Sequence, residues 1–324
     1  MPIRLSQLAN GVSVLTLIGS IVGCVTMASP SPTRSAQASS EPPAEATYAT
    51  LSWREVAPMP IARSHLSAVM ADGRIFAIGG LLRGGATSSA FDSYEPGTAT
   101  WTGLPVLPVA TDHSMAAASG SSVFVFGGSF AVPSTRGFRF DIPTRRWTSI
   151  AALPEPRAAG SAIAIGSSVY VIGGFDAAHQ PLATAYKYEP AADAWSRIAD
   201  LPTPRDHLAA AAFRGSVCAV GGHLGDGKTV GVAECYDPTT NRWASIPALP
   251  RPTSDFDAAV AFGALWTVGD YVQVFDGVRW WLGPPLRTPR FGLALASTGS
   301  SLFAIGGAAR TPAPDGIVER LDRN

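Results

Sequence analysis

The chain has 324 residues with 24 basic and 24 acidic side chains, five histidines, three cysteines and 46% hydrophobic residues. The charges cancel and no basic run concentrates them, which excludes the electrostatic footprint of a nucleic-acid-binding protein. A chain this long and apolar can bury a substantial core, so the spacing of its apolar residues carries the information.

Residues 1–23 hold one early base, Arg4, and an apolar stretch from about Gly11 to Val22. The stretch is too short to span a bilayer comfortably, and its flanks fit an export signal. Ile21-Val22-Gly23-Cys24 resembles a bacterial lipobox. That resemblance implies cleavage before Cys24 and acylation of its thiol. The protein is then expected to be exported and lipid-anchored to the cell envelope, at the outer membrane or the extracytoplasmic face of the plasma membrane. Residues 24–50 are rich in Ser, Pro, Ala and Thr, as in SPSPTRSAQASSEPPAEA. Such a composition cannot bury a core and reads as a disordered tether.

Residues 51–324 carry a repeat. Trp53, Trp101, Trp147, Trp195, Trp243 and Trp280 are each followed 26 residues later by a glycine: Gly79, Gly127, Gly173, Gly221, Gly269 and Gly306. A second glycine follows in every repeat except the fifth, where Asp270 stands. The tryptophan intervals are 48, 46, 48, 48 and 37 residues, a period of propeller size. Each repeat reads as four short strands. A small-residue strand such as HLAAAAF comes first, then a run into the glycine pair such as SVYVIGG, then a strand carrying Tyr94, Phe140, Tyr188 or Tyr236, and last the Trp strand. Small side chains suit the first strand because innermost strands crowd toward the axis of a tapering propeller.

The glycine pair, the aromatic and the Trp at these spacings resemble the kelch repeat. The resemblance implies an all-β, six-bladed kelch-type β-propeller spanning 51–324, with each Trp a core residue between blades. The last repeat stops before its Trp strand, and Trp53 opens the series as an orphan. The N-terminal Trp53 strand is therefore expected to close the last blade. Repeat 5 is trimmed, with 11 residues from Gly269 to Trp280 and an Asp276-Gly277 pair suited to a tight hairpin.

Ten residues after each tryptophan stand Arg63, Thr111, Arg157, Arg205, Thr253 and Arg290; two further on stand His65, His113, Ala159, His207, Asp255 and Gly292. Strand alternation puts these positions on the same face as the loops after the glycine pairs, which hold His179 and His223. All five histidines are thus expected on one face, near one mouth of the central channel. Two readings of the arginines and histidines stay open: they knit blades together with Asp112 and Asp206, or they form a partly cationic cup for carboxylates and other oxyanions. On the second reading Arg63, His65, Asp112, His113, Arg157, Arg205, Asp206, His207, Asp255 and Arg290 bind the ligand.

His207 lies in blade 4, around the ring from His65 and His113, so no metal site and no cofactor is expected. No nucleophile elbow, HExxH, P-loop or CxxC is present, and no catalytic residue is assigned. Cys218 and Cys235 fall on the second and third strands of blade 4, either as a free pair with Cys218 buried or as a disulfide if register brings them together. The leading expectation is a membrane-tethered recognition module, monomeric, binding a glycan, peptide or protein partner on the Arg/His face. Two alternatives stand beside it. One is a sugar mutarotase similar to the exported kelch-type N-acetylneuraminate epimerases, and the other is an envelope-assembly component with no small ligand.

Overall fold

The computed structural model describes Tyr48, residues 50–309 and residues 313–323. The signal segment 1–23, Cys24 and most of the 24–50 tether lie outside the described residues. The described chain forms six four-stranded antiparallel sheets. Blades 1 to 5 follow chain order. Blade 4, for example, is built from Ala209–Phe213, Ser216–Val220, Ala233–Asp237 and Arg242–Ser245. Blade 6 is made of Ala294–Ser297, Ser301–Ile305, Val318–Asp322 and, as its outermost strand, Trp53–Val56. The closure is antiparallel, with Trp53 opposite Leu321 and Val56 opposite Val318. The expected six-bladed ring, closed by the Trp53 strand, is what the chain folds into.

Six apolar clusters fill the spaces between neighbouring blades. Between blades 1 and 2, for instance, Phe76 and Phe91 meet Val123, Val125 and Phe140. The folded unit starts earlier than residue 51: Tyr48 is buried and packs edge-on against Trp266, with ring centroids 5.3 Å apart. The tryptophans differ from the core residues expected. Trp53 and Trp280 are buried, but Trp101, Trp147, Trp195 and Trp243 are only half-buried. Each acts as a latch, because its indole N–H donates to a carbonyl at the end of the preceding blade. The acceptors are Pro284 for Trp53, Ala57 for Trp101, Pro105 for Trp147, Ala151 for Trp195, Ala199 for Trp243 and Pro247 for Trp280.

The glycine pairs make the complementary joint to the following blade. Gly79 has φ +56°, and a Cβ there would lie 2.3 Å from the carbonyl oxygen of Thr111; the amide of Gly80 donates to that same oxygen at 2.8 Å. Only a residue without a Cβ lets the two backbones meet this closely. The pattern repeats at Gly127-Gly128, Gly173-Gly174, Gly221-Gly222 and Gly306-Gly307. In blade 5, Asp270 breaks the pair, and only residues 269–271 connect the second and third strands. The expected hairpin is present: Asp276 accepts the amides of Val278 and Arg279, and Gly277 takes φ +102°. In blade 4, Cys218 and Cys235 sit directly opposite each other and form a disulfide.

Candidate functional site

One residue per blade encircles the channel mouth. His65, His113, Ala159, His207, Asp255 and Gly292 all take left-handed backbone conformations, with φ between +47° and +59°. Each amide donates to the carbonyl of its counterpart one blade back: His113 to His65, Ala159 to His113, His207 to Ala159, Asp255 to His207, Gly292 to Asp255, and His65 to Gly292. The result is a closed circle of six backbone hydrogen bonds. Each non-glycine member holds a conformation that L-residues disfavour, and the circle over-determines it.

The circle also explains why the histidines converge. Ala159 and Gly292 sit on opposite sides of it, and their small size lets the larger members approach across them. A Cβ on Gly292 would lie 2.9 Å from the His65 ring, so glycine leaves room for that imidazole to reach within 3.5 Å of Asp255 Oδ1. Across Ala159, the His113 and His207 rings meet edge to face at 5.3 Å, while His65 and His113 stack at 4.3 Å. His207 Nε2 lies 3.7 Å from the same Asp255 oxygen. The expectation that His207 stands apart from His65 and His113 is therefore corrected: blade number measures distance poorly at the axis of a ring.

Behind the mouth, Asp112 and Asp206 hold the Nδ1 atoms of His113 and His207 at 2.6 and 2.5 Å, and Asp112 also accepts the amide of Phe130. His223 Nδ1 lies 3.7 Å from Asp206. Aromatic rings line the rim. Phe130 packs on His113, Phe175 and His179, and Phe175 stacks on His179 and His207. All five histidines do gather at one mouth.

The environments push these groups apart. Burial lowers the pKa of His113, and neighbouring His65 and His207 add to that, outweighing the hydrogen bond that His113 donates to Asp112. Burial also opposes the charged form of His207, but the Asp206 hydrogen bond and the Asp255 and Asp206 charges reverse the balance and raise it. For Asp255, burial favours the neutral acid; His65, His207 and His223 outweigh it and hold the carboxyl well below the usual range. At neutral pH the mouth pairs a neutral imidazole with an ionised carboxylate and a more basic imidazole.

The arginines behave otherwise, and the cationic cup is corrected with them. Arg63, Arg157, Arg205 and Arg290 are fully buried inside the blades. Arg63 donates to the carbonyls of Gly79 and Ala90 and pairs with Asp92 at 2.5 Å. Arg205 pairs with Glu234 and Arg290 with Glu319, each at 2.6 Å, and both donate to the first glycine carbonyl of their own blade. The two terminal nitrogens of Arg157 donate to Glu155, Thr184 and the Gly173 carbonyl, while its buried Nε has no partner. Their forks are occupied within the fold and do not face a ligand.

A signal for this was present in the repeats. The second residue of each third strand is Asp92, Phe138, Tyr186, Glu234, Gln273 and Glu319, beside Arg63, Thr111, Arg157, Arg205, Thr253 and Arg290. Arginine stands where that position is acidic, or in blade 3 where Glu155 supplies the acid; threonine stands in the two blades where it is Phe138 or Gln273. Sequence reasoning also missed Asp257, the one acid in the column Ser67, Met115, Ser161, Ala209, Asp257 and Ala294. Its carboxylate accepts the amides of Ala258 and Leu295, and burial in the channel wall pushes it up to about 7.

Below the mouth, the innermost strands enclose a cavity of about 480 Å³, large enough for a small molecule. Fold and site together define a six-bladed propeller of the kelch type, a binding-module architecture with a histidine- and carboxylate-lined mouth. The family model for the KLHDC2/KLHL20/DRC7 Kelch-repeats domain matches residues 113–277, half of the chain, and the protein belongs to the kelch-repeat family. Among solved structures, "Structure of YjhT" superposes with a TM-score of 0.73 at 13% identity, covering 81% of this chain and 95% of that one. At that identity the likeness shows a shared fold. No curated protein sequence matches the chain.

Proposed function

We propose that the propeller is the recognition head of an exported, lipid-anchored protein, and that it binds a glycan at the His/Asp mouth. The observation that carries the reading is the juxtaposition at one end of the channel of His65, His113, His207 and Asp255 with the exposed ring of Phe130. A sugar presents an apolar ring face to an aromatic and hydroxyls to polar groups, and this rim offers both. Loops on a rigid scaffold are the usual carriers of recognition, and Phe130, Phe175, His179 and His223 lie on such loops.

The export reading rests on the lipobox-like segment ending at Cys24. The Cys218–Cys235 disulfide supports it, because such bonds persist in oxidising compartments. Labelling cells with a fatty-acid analogue tests the anchor: Cys24→Ser should abolish incorporation and release the protein from membranes. Binding is tested by a thermal-shift screen of the protein against mono- and oligosaccharides, since a ligand of the native state raises the melting temperature by mass action. A saccharide should shift the parent and not Phe130→Ala or His65→Ala. If no saccharide shifts the parent, the glycan reading is wrong and a peptide or protein partner takes its place.

The opposed pKa shifts of His113, His207 and Asp255 favour one second reading, acid–base chemistry on the bound sugar. Turnover of a saccharide found in the screen, lost in His207→Ala, separates an enzyme from a pure binder.

A further inference from the structure

Blade 4 differs from the other blades at three positions that the fold brings together. These are the residue before the circle, the circle residue itself, and the first residue after the glycine pair. Blade 1 fills them with Ser64, His65 and Leu81, blade 2 with Asp112, His113 and Ser129, blade 3 with Ala158, Ala159 and Phe175, and blade 6 with Phe291, Gly292 and Ala308. In blade 4 they are Asp206, His207 and His223, and all three side chains can ligate a metal. One ligand atom from each lies within 4.8 Å of the other two.

The backbone fixes this spacing. Asp206 and His223 form a two-way bridge, each amide donating to the other's carbonyl at 3.2 and 2.8 Å. In ordinary extended chain the next side chain would point to the opposite face. The left-handed turn at His207, φ +47°, brings it beside Asp206 instead. The Nδ1 atoms of His207 and His223 lie 2.5 and 3.7 Å from Asp206 Oδ1. These distances bracket the ~3.3 Å between ligand atoms that bonds of about 2.0–2.1 Å impose on a tetrahedral ion.

We infer that Asp206, His207 and His223 form a binding site for a divalent transition metal ion of the zinc type. Two imidazoles and one carboxylate suit zinc and its neighbours and are a poor match for calcium or magnesium, which take oxygen ligands. Side-chain exposures of 12%, 12% and 26% leave the site open to an incoming ion. On binding, the proton that His207 Nδ1 shares with Asp206 moves off Nδ1, to Nε2 or to solvent, and both side chains become ligands. Three protein ligands leave a fourth position, where a ligand oxygen can complete the shell. The inference goes beyond the glycan reading and does not depend on it, because the ion is measured without any saccharide.

The full chain, stripped with a chelator, is titrated with ZnCl₂ by calorimetry and with Co²⁺ by visible absorption. One equivalent should bind, and Co²⁺ should give the intense d–d bands of a four-coordinate N/O site. His223→Ala should weaken binding by about tenfold or more and erase those bands. Its metal-free melting temperature should match the parent's, which shows that the fold is intact. His179→Ala, in the same aromatic and histidine cluster but outside the trio, should bind as the parent does. Absence of saturable binding of either ion overturns the site. So does binding that survives in both His207→Ala and His223→Ala, since the ion is then held elsewhere.

Discussion

Removing the carboxylate that faces a buried arginine should destabilise the propeller far more than removing both partners. Arg205 has no exposed side-chain surface and Glu234 only 5%, and they meet at 2.6 Å. Glu234 also accepts the Thr203 hydroxyl, and Arg205 donates to the Gly221, Thr203 and Ala219 carbonyls. Glu234→Gln keeps the shape and leaves a guanidinium charge stranded in the blade, a loss of about 3–5 kcal/mol. Against a total stability on the order of 5–15 kcal/mol, that is a large fraction. Arg205→Met strands the carboxylate and should cost a similar amount. The double variant removes both charges and should be less destabilised than either single variant, as the uncharged Thr253 and Gln273 of blade 5 foreshadow. Urea unfolding at pH 7 of the parent, both singles and the double gives the coupling energy directly. A Glu234→Gln variant within about 1 kcal/mol of the parent, or singles that add in the double, would refute the argument that these arginines are structural.

Asp257 should make stability depend on pH. Its pKa is raised from 3.8 to about 7 in the folded protein, so its favourable contribution is complete below about 3.8 and is lost as pH rises through 7. From pH 5 to its folded pKa near 7 the loss is at most about 2–3 kcal/mol, and the partial exposure of Asp257 to the channel makes it smaller. Asp257→Asn should flatten the melting-temperature profile over that range, and parallel profiles for parent and variant would show that Asp257 does not titrate as described. Trp53→Phe removes the indole donor that grips the Pro284 carbonyl, so melting should fall by an amount corresponding to about 0.5–1.5 kcal/mol. Deleting residues 51–57 should instead unfold the whole ring, since it strips blade 6 of its outer strand; a deletion that melts like the parent would contradict the closure.

Much of the fold was legible because a propeller writes one blade's constraints six times. The 26-residue step runs from the Trp that latches one blade to the blade before it to the glycine by which the next blade meets the blade after it. The orphan Trp53 and the unfinished last repeat sufficed to predict the closure. The gathering of the five histidines at one mouth followed from strand alternation alone. What each column's side chains touch did not. The arginines looked like a cup because repeat position says where a residue enters a strand, and not whether its side chain turns inward to an acid or outward to solvent. That choice depends on a partner 29 residues away for Arg63, Arg205 and Arg290, visible only when two columns are compared.

The sequence by itself determined the blade count, the closing strand, the trimmed fifth blade and the face on which chemistry could gather, because these depend on spacing along the chain. Tertiary structure alone decided which side chains converge. The circle of six left-handed residues brings His65, His113, His207 and Asp255 together across Ala159 and Gly292, although they lie in four different blades. Distance around a ring shrinks toward its axis, and no count of residues between repeats contains that radius.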